Sequence, residues 1–175
     1  MARKPRKLAA ADLKDAALDH LARYAVSTAR LRQVLQRRIR RSAKAHDFDP
    51  AMLLSALETV IADLDRVGLL NDQAYAEIKA RSLSRRGGSR RLIAAKLAGA
   101  GVARDATAAA LGRLEEETPD AELAAAHAYA RRRRLGVFRT TEDPSPERRR
   151  KDLAAMARAG FTLDLARRAL NGADG

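Results

Sequence analysis

The strongest constraint on this fold is a block of residues that recurs. Arg90-Arg91, Leu97, Ala100-Gly101, Asp105 and Ala110-Leu111 return 59 positions later as Arg149-Arg150, Met156, Ala159-Gly160, Asp164 and Ala169-Leu170. The shared order is basic pair, apolar residue, small-residue stop, acid, then apolar pair. It marks one supersecondary unit used more than once. Tyr24-Ala25, Tyr75-Ala76 and Tyr129-Ala130 supply a first-helix landmark in each of three cycles. A unit of about 45–60 residues buries too little surface to be stable alone, so neighbours must support one another in a row. The expected architecture is all-α: tandem three-helix repeats, about nine helices, in an elongated array that can curve.

Periodicity and stop signals place the helices. The first is expected from an Asp12 cap to about Val26, with Leu13, Ala17, Leu21 and Tyr24 on one face. Ser27 caps a second, with Leu31, Val34, Leu35 and Ile39 as its stripe and Ser42 to Asp49 as a polar connection. Asp49-Pro50 opens a third, which stops at Gly68. The second cycle runs from Asn71 or Asp72 to Arg86, from Ser89 to Gly101, and from Arg104 to Glu116. The third starts at Thr118-Pro119 and reaches Leu135. A loop from Gly136 to Pro146 follows, then helices over Glu147 to Ala159 and Leu163 to Leu170. The expected divisions are a flexible basic arm over 1–10 and repeats over 11–69, 70–117 and 118–175. Apolar residues are 46% of the chain but aromatics only 3%. Alanine-rich helices of this kind form readily and bring little area to a core.

Charge narrows the function. The net charge is +13, carried mostly by arginine, whose planar fork suits phosphate and carboxylate recognition. A polyanionic partner is expected. The candidate partner-binding residues are Arg37, Arg40 and Arg41; Arg81, Arg85, Arg86, Arg90 and Arg91; Arg132 and Arg133; and Arg148, Arg149 and Arg150. Changing Arg85, Arg86, Arg90 and Arg91 together to alanine is expected to weaken partner binding without unfolding. There is no cysteine, which removes disulfides, thiol nucleophiles and thiolate metal sites. No apolar run reaches membrane-spanning length and no signal-peptide core follows the basic start, so a cytoplasmic location is expected.

Catalytic patterns are missing. Gly87-Gly88 lies among arginines but lacks the Walker spacing and its Lys-Ser/Thr pair. It reads as a helix–helix turn. His20, His46 and His127 have no partner at metal-binding spacing. Glu115-Glu116-Glu117 has no base or nucleophile beside it and reads as solvated or arginine-paired. The three tyrosines read as repeat core rather than as base-stacking platforms. No enzyme activity, metal or cofactor is expected.

The order Leu69-Leu70-Asn71-Asp72, Tyr75-Ala76, Arg81, Arg85-Arg86-Gly87, Arg90-Arg91-Leu92, Leu97 and Ala100-Gly101-Val102 resembles the RecX family of bacterial recombination regulators. Gly160-Phe161 to Ala169-Leu170 is similar to that family's last repeat. The resemblance covers about residues 16–171. It implies three tandem three-helix repeats and a negative regulator of homologous recombination and the SOS response. Such a protein binds in the groove of the RecA–DNA filament and inhibits RecA ATP hydrolysis and strand exchange. It further implies secondary, non-specific affinity for single- and double-stranded DNA, and a monomer. The chain departs from the family in three places. The second helix of the first repeat lacks its terminal glycine, Arg30 stands where a capping-box Glu is common, and the loop at 140–146 is longer. The alternative is a direct DNA-binding transcriptional regulator with helix-turn-helix-like modules. Its basic helices carry little besides Arg and Ala, which suits backbone contact better than base reading.

Overall fold

The computed structural model describes residues 6–140 and 145–172, so residues 1–5 of the expected arm and 141–144 of the expected loop lie outside it. Among the described residues there are nine α-helices and no strand. They are α1 Ala11–Leu21, α2 Thr28–His46, α3 Ala51–Arg66, α4 Asp72–Arg85, α5 Arg90–Gly99, α6 Arg104–Glu117, α7 Ala121–Arg133, α8 Pro146–Arg158 and α9 Leu163–Asn171. A short 3-10 turn covers Gly136–Phe138.

Two compact units emerge. Unit 1 is Met1–Tyr75 with Ala100–Val102, and unit 2 is Ala76–Gly99 with Ala103–Gly175. In unit 1, Leu31, Leu35 and Ile39 recur every fourth residue along α2 and are fully buried. They meet Leu13 and Ala17 of α1 and Leu57, Ile61 and Leu64 of α3. Each large aliphatic chain buried this way contributes about 1.5–3 kcal/mol. One core of unit 2 is built differently. Ala125, Ala126 and Ala130 of α7 and Ala166 and Ala169 of α9 cluster around Met156, Phe161 and Leu170. Small residues let the helix backbones approach closely.

The boundaries of α1 and α2 differ from the sequence expectation. Helix α1 stops at Leu21, where the His20 carbonyl accepts from the N–H groups of both Arg23 and Tyr24. The chain must then extend so that Ser27, at φ −72 and ψ 158, can cap α2. Tyr24 is therefore 57% exposed, against the core reading, and its ring rests 5.0 Å from that of His20. Helix α2 continues to His46 through the expected polar connection. The cause is tertiary: Leu8 is buried in the unit 1 core and its N–H donates to Ser42 Oγ at 3.0 Å. Ser42, expected to open the polar connection, accepts its hydrogen bond from the arm. The described end of that arm makes contacts of its own, with Asp12 accepting from Ala9 N–H at 2.8 Å and from Arg6 at 3.2 Å.

Side-chain caps mark the starts of α2, α5, α8 and α9. Ser27, Ser89, Ser145 and Thr162 each accept the N–H three residues on, at 3.2–3.4 Å. Thr118 does not cap α7; the helix begins after Asp120, which is left-handed at φ 59. Ser27 and Ser89 also donate, to the carbonyls of Ala100 and Ala159 respectively. Ser89→Ala removes a cap and leaves the Ala159 carbonyl without this donor. It is expected to cost about 1–2 kcal/mol of stability, read by urea denaturation. An unchanged midpoint would show that the hydroxyl contributes nothing.

Candidate nucleic-acid interface

The structure sorts the candidate arginines by what surrounds them. Arg81 and Arg90 face the acidic run at the end of α6. Arg81 meets Glu117 at 3.1 Å, and Arg90 meets Glu115 at 3.5 Å while also donating to the Leu111 carbonyl at 3.4 Å. Arg113 joins Glu117 at 3.5 Å. Glu115 and Glu117 thus pair with arginines of their own helical cycle. Arg81 and Arg90 are scaffold groups.

A different set is exposed. Helix α4 ends in Arg85 and is followed by Arg86 and then Gly87 at φ +79. Helix α7 ends in Arg131, Arg132 and Arg133, with Arg134 left-handed at φ 53. The two ends meet in unit 2. The Arg132 guanidinium donates to the Arg86 carbonyl and lies 5.7 Å from the Tyr129 ring centroid. The backbone of Tyr129 sits directly over Gly87, where a Cβ would come within 2.6 Å of its nitrogen. Gly87 is a close-approach residue, and that approach is what brings Arg85 and Arg86 beside Arg132 and Arg133. All four arginines are exposed. None has a carboxylate within ion-pair distance among the described residues. Cations are favoured at helix C-termini, where carbonyls carry partial negative charge, and of the four Arg132 is held by the Arg86 carbonyl and the Tyr129 ring.

Helix α8 adds Arg148, Arg149 and Arg150, all exposed in its first turns. Arg149 donates to Asn171 at 2.8 Å. Cations at a helix N-terminus oppose the helix dipole, and an anion arriving there relieves both. Arg91 is exposed on α5 beside Gly160. In unit 1, Arg37 donates to the Gln33 carbonyl at 3.3 Å, and Arg40 is exposed. Arg41, with Arg38, lines a cleft of about 400 Å³ that also holds Asp12, Asp15 and Asp19. Those carboxylates oppose phosphate binding, so Arg41 is the weakest of the exposed candidates.

Among the described residues no group of three or more His, Asp or Glu side chains can hold a metal ion. The buried carboxylate Asp152 is spent on structure: it accepts from Gly136 N–H at 3.0 Å and from Arg139 at 2.7 Å, fixing the turn after α7. Among the described residues no helix is long and apolar enough to cross a membrane.

Comparison with known proteins settles the family. The chain is 41% identical over 169 residues to the regulatory protein RecX of Myxococcus xanthus, covering 97% of this chain and 89% of that protein. This chain belongs to the RecX family. It is also 36% identical over 152 residues to the regulatory protein RecX of Agrobacterium fabrum, across 87% of this chain and 78% of the relative. Residues 71–111 match the model of the second RecX three-helix domain. That stretch holds Arg81, Arg85, Arg86, Arg90 and Arg91. The fold is shared with the crystal structure of RecX from Lactobacillus salivarius, at a TM-score of 0.67 and 17% identity over 91% of this chain and 93% of that one.

Proposed function

We propose that this chain is a negative regulator of homologous recombination and the SOS response, binding in the groove of the RecA–DNA filament and inhibiting RecA ATP hydrolysis and strand exchange. RecX family membership supports the partner. The observation that carries the mode of action is the junction of the α4 and α7 ends. Arg85, Arg86, Arg132 and Arg133 stand there, at or just past the ends of α4 and α7, with no carboxylate in ion-pair distance among the described residues. A groove walled by DNA phosphates and acidic protein attracts such a surface over a Debye length. The role is binding, not turnover. On this reading the protein acts in the cytoplasm as a monomer, with secondary, non-specific affinity for single- and double-stranded DNA.

The test is DNA-dependent ATP hydrolysis by the cognate RecA at two salt concentrations, with this protein below one per RecA. Inhibition at such substoichiometric amounts, weakened at the higher salt, is the expected result. No inhibition, with tight and salt-sensitive binding to naked duplex, replaces this reading with the direct DNA-binding one.

A further inference from the structure

Helix α2 of unit 1 has a charge pattern that its own stability does not explain. It carries seven Arg and Lys residues and no carboxylate over its 19 residues. Like charges three or four residues apart destabilise a helix, and a Glu among them would stabilise it. The two flanks of α2 find acids on its neighbours. Arg32 meets Glu58 of α3 at 3.0 Å. Arg38 and Arg41 line the cleft that holds Asp12, Asp15 and Asp19 of α1.

The remaining cations fall on one line. Arg30, Arg37, Arg40 and Lys44 are exposed, and the exposed Gln33 completes a spacing of three, four, three and four along the helix. At 3.6 residues per turn this line lies opposite Leu31, Leu35 and Ile39, which are fully buried. Gln33 holds two of the cations along the helix. Its side-chain oxygen accepts from the Arg30 guanidinium and its carbonyl from Arg37 Nε, both at 3.3 Å. None of the four has a carboxylate within ion-pair distance among the described residues. From Arg30 to Lys44 the line is about 21 Å long.

The chemistry of the line selects its partner. Protein–protein interfaces have an apolar centre depleted in charge, and this line holds no apolar side chain. Nucleic-acid interfaces are polar and strongly positive. Single-strand surfaces add aromatic rings on which bases stack, but α2 contains no Phe, Tyr or Trp. The α4–α7 junction differs in this respect, because Tyr129 lies beside its arginines. A rod of cations without a stacking ring suits the regular phosphates of a duplex, where about 21 Å spans roughly six phosphates of one strand. We propose that Arg30, Arg37, Arg40 and Lys44 form a second nucleic-acid surface, which takes the phosphate backbone of double-stranded DNA and acts separately from the α4–α7 junction. This surface requires a nucleic-acid partner but not RecA, so it can fail while inhibition of RecA stands.

The test combines Arg30→Ala, Arg37→Ala, Arg40→Ala and Lys44→Ala in one full-length variant. Circular dichroism checks folding, which alanine on an exposed helix face should preserve. Fluorescence anisotropy at several salt concentrations then gives affinity for a short mixed-sequence duplex and for one of its strands alone. Duplex affinity is expected to fall about tenfold or more, with single-strand affinity changed less than about twofold. Each lost duplex phosphate contact contributes about 0.9 to the slope of log affinity against log salt, so the slope should drop by up to roughly 3.6. The charge-matched comparison is the variant with Arg85, Arg86, Arg132 and Arg133 changed to alanine, which should lose more on the single strand than on the duplex. A folded α2 variant with full duplex affinity overturns the assignment. Equal losses on both DNAs from both sets overturn it too, since net charge alone would then suffice. If the fourfold variant does not fold, Arg37→Ala with Arg40→Ala should give about half the change in duplex slope, and an unchanged slope there is equally decisive against it.

Discussion

Replacing Arg85, Arg86, Arg132 and Arg133 together with alanine is expected to weaken binding to single-stranded DNA at least tenfold and to flatten its salt dependence. Each phosphate contact on a single strand contributes about 0.7 to the slope of log affinity against log salt. Four lost contacts therefore lower the slope by up to roughly 3. Inhibition of RecA should fall with it. Helicity should not change, because all four side chains are exposed and carry no local ion pair. The informative comparison is Arg81→Ala with Arg90→Ala. These guanidiniums are occupied by Glu117 and Glu115, and half-exposed pairs of this kind contribute only about 0–1 kcal/mol to stability. Equal losses of DNA affinity in the two sets would mean that net charge, not the α4–α7 junction, determines binding.

The second large effect is expected at Gly87. An alanine there meets two penalties. The residue is at φ +79, a conformation that costs an L side chain about 1 kcal/mol. Its Cβ would also stand 2.6 Å from the backbone nitrogen of Tyr129 and 2.9 Å from its Cα. Neither atom can swing away, and overpacking of this sort costs about 1–3 kcal/mol. Gly87→Ala should therefore lose roughly 2–4 kcal/mol in urea denaturation, and DNA affinity with it as the α4 and α7 ends part. Gly68→Ala is the control, with φ +76 and no atom within 4 Å of the new Cβ. Its cost should be near 1 kcal/mol. If both glycines cost the same, the Tyr129 contact is not what requires Gly87.

Much of this was legible in the sequence because the signals were local. Helical spacing in α2 and α3, serine caps and glycine stops lie within a few residues of what they determine. The hidden parts depend on distant partners. Ser42 lies within a helix, with its hydroxyl accepting from the N–H of Leu8, far off in sequence. Tyr24 matched the landmark pattern, yet the extended backbone that Ser27 needs turned it outward. The candidate surface was partly legible for the same reason. Arginine runs are visible in a sequence, but which of them are spent on Glu115 and Glu117 is fixed by the packing of α6. That Arg86 and Arg132 meet depends on Gly87, which read as a turn and serves as a contact. Signals from sequence spacing alone did not separate Arg90 from Arg91, although one is ion-paired and the other exposed.

The alanine-lined contact of α7 and α9 reverses the usual order of mutational harm. In a leucine core, trimming a side chain opens a void and is the damaging change. Ala125, Ala126, Ala130, Ala166 and Ala169 have almost nothing to trim. Enlargement is the danger there, since one added methyl must push two helix backbones apart. Drift in this part of the chain is therefore confined to a narrow range of volumes, glycine to serine. The leucine-rich helices of unit 1 can exchange Leu, Ile and Met with far less consequence.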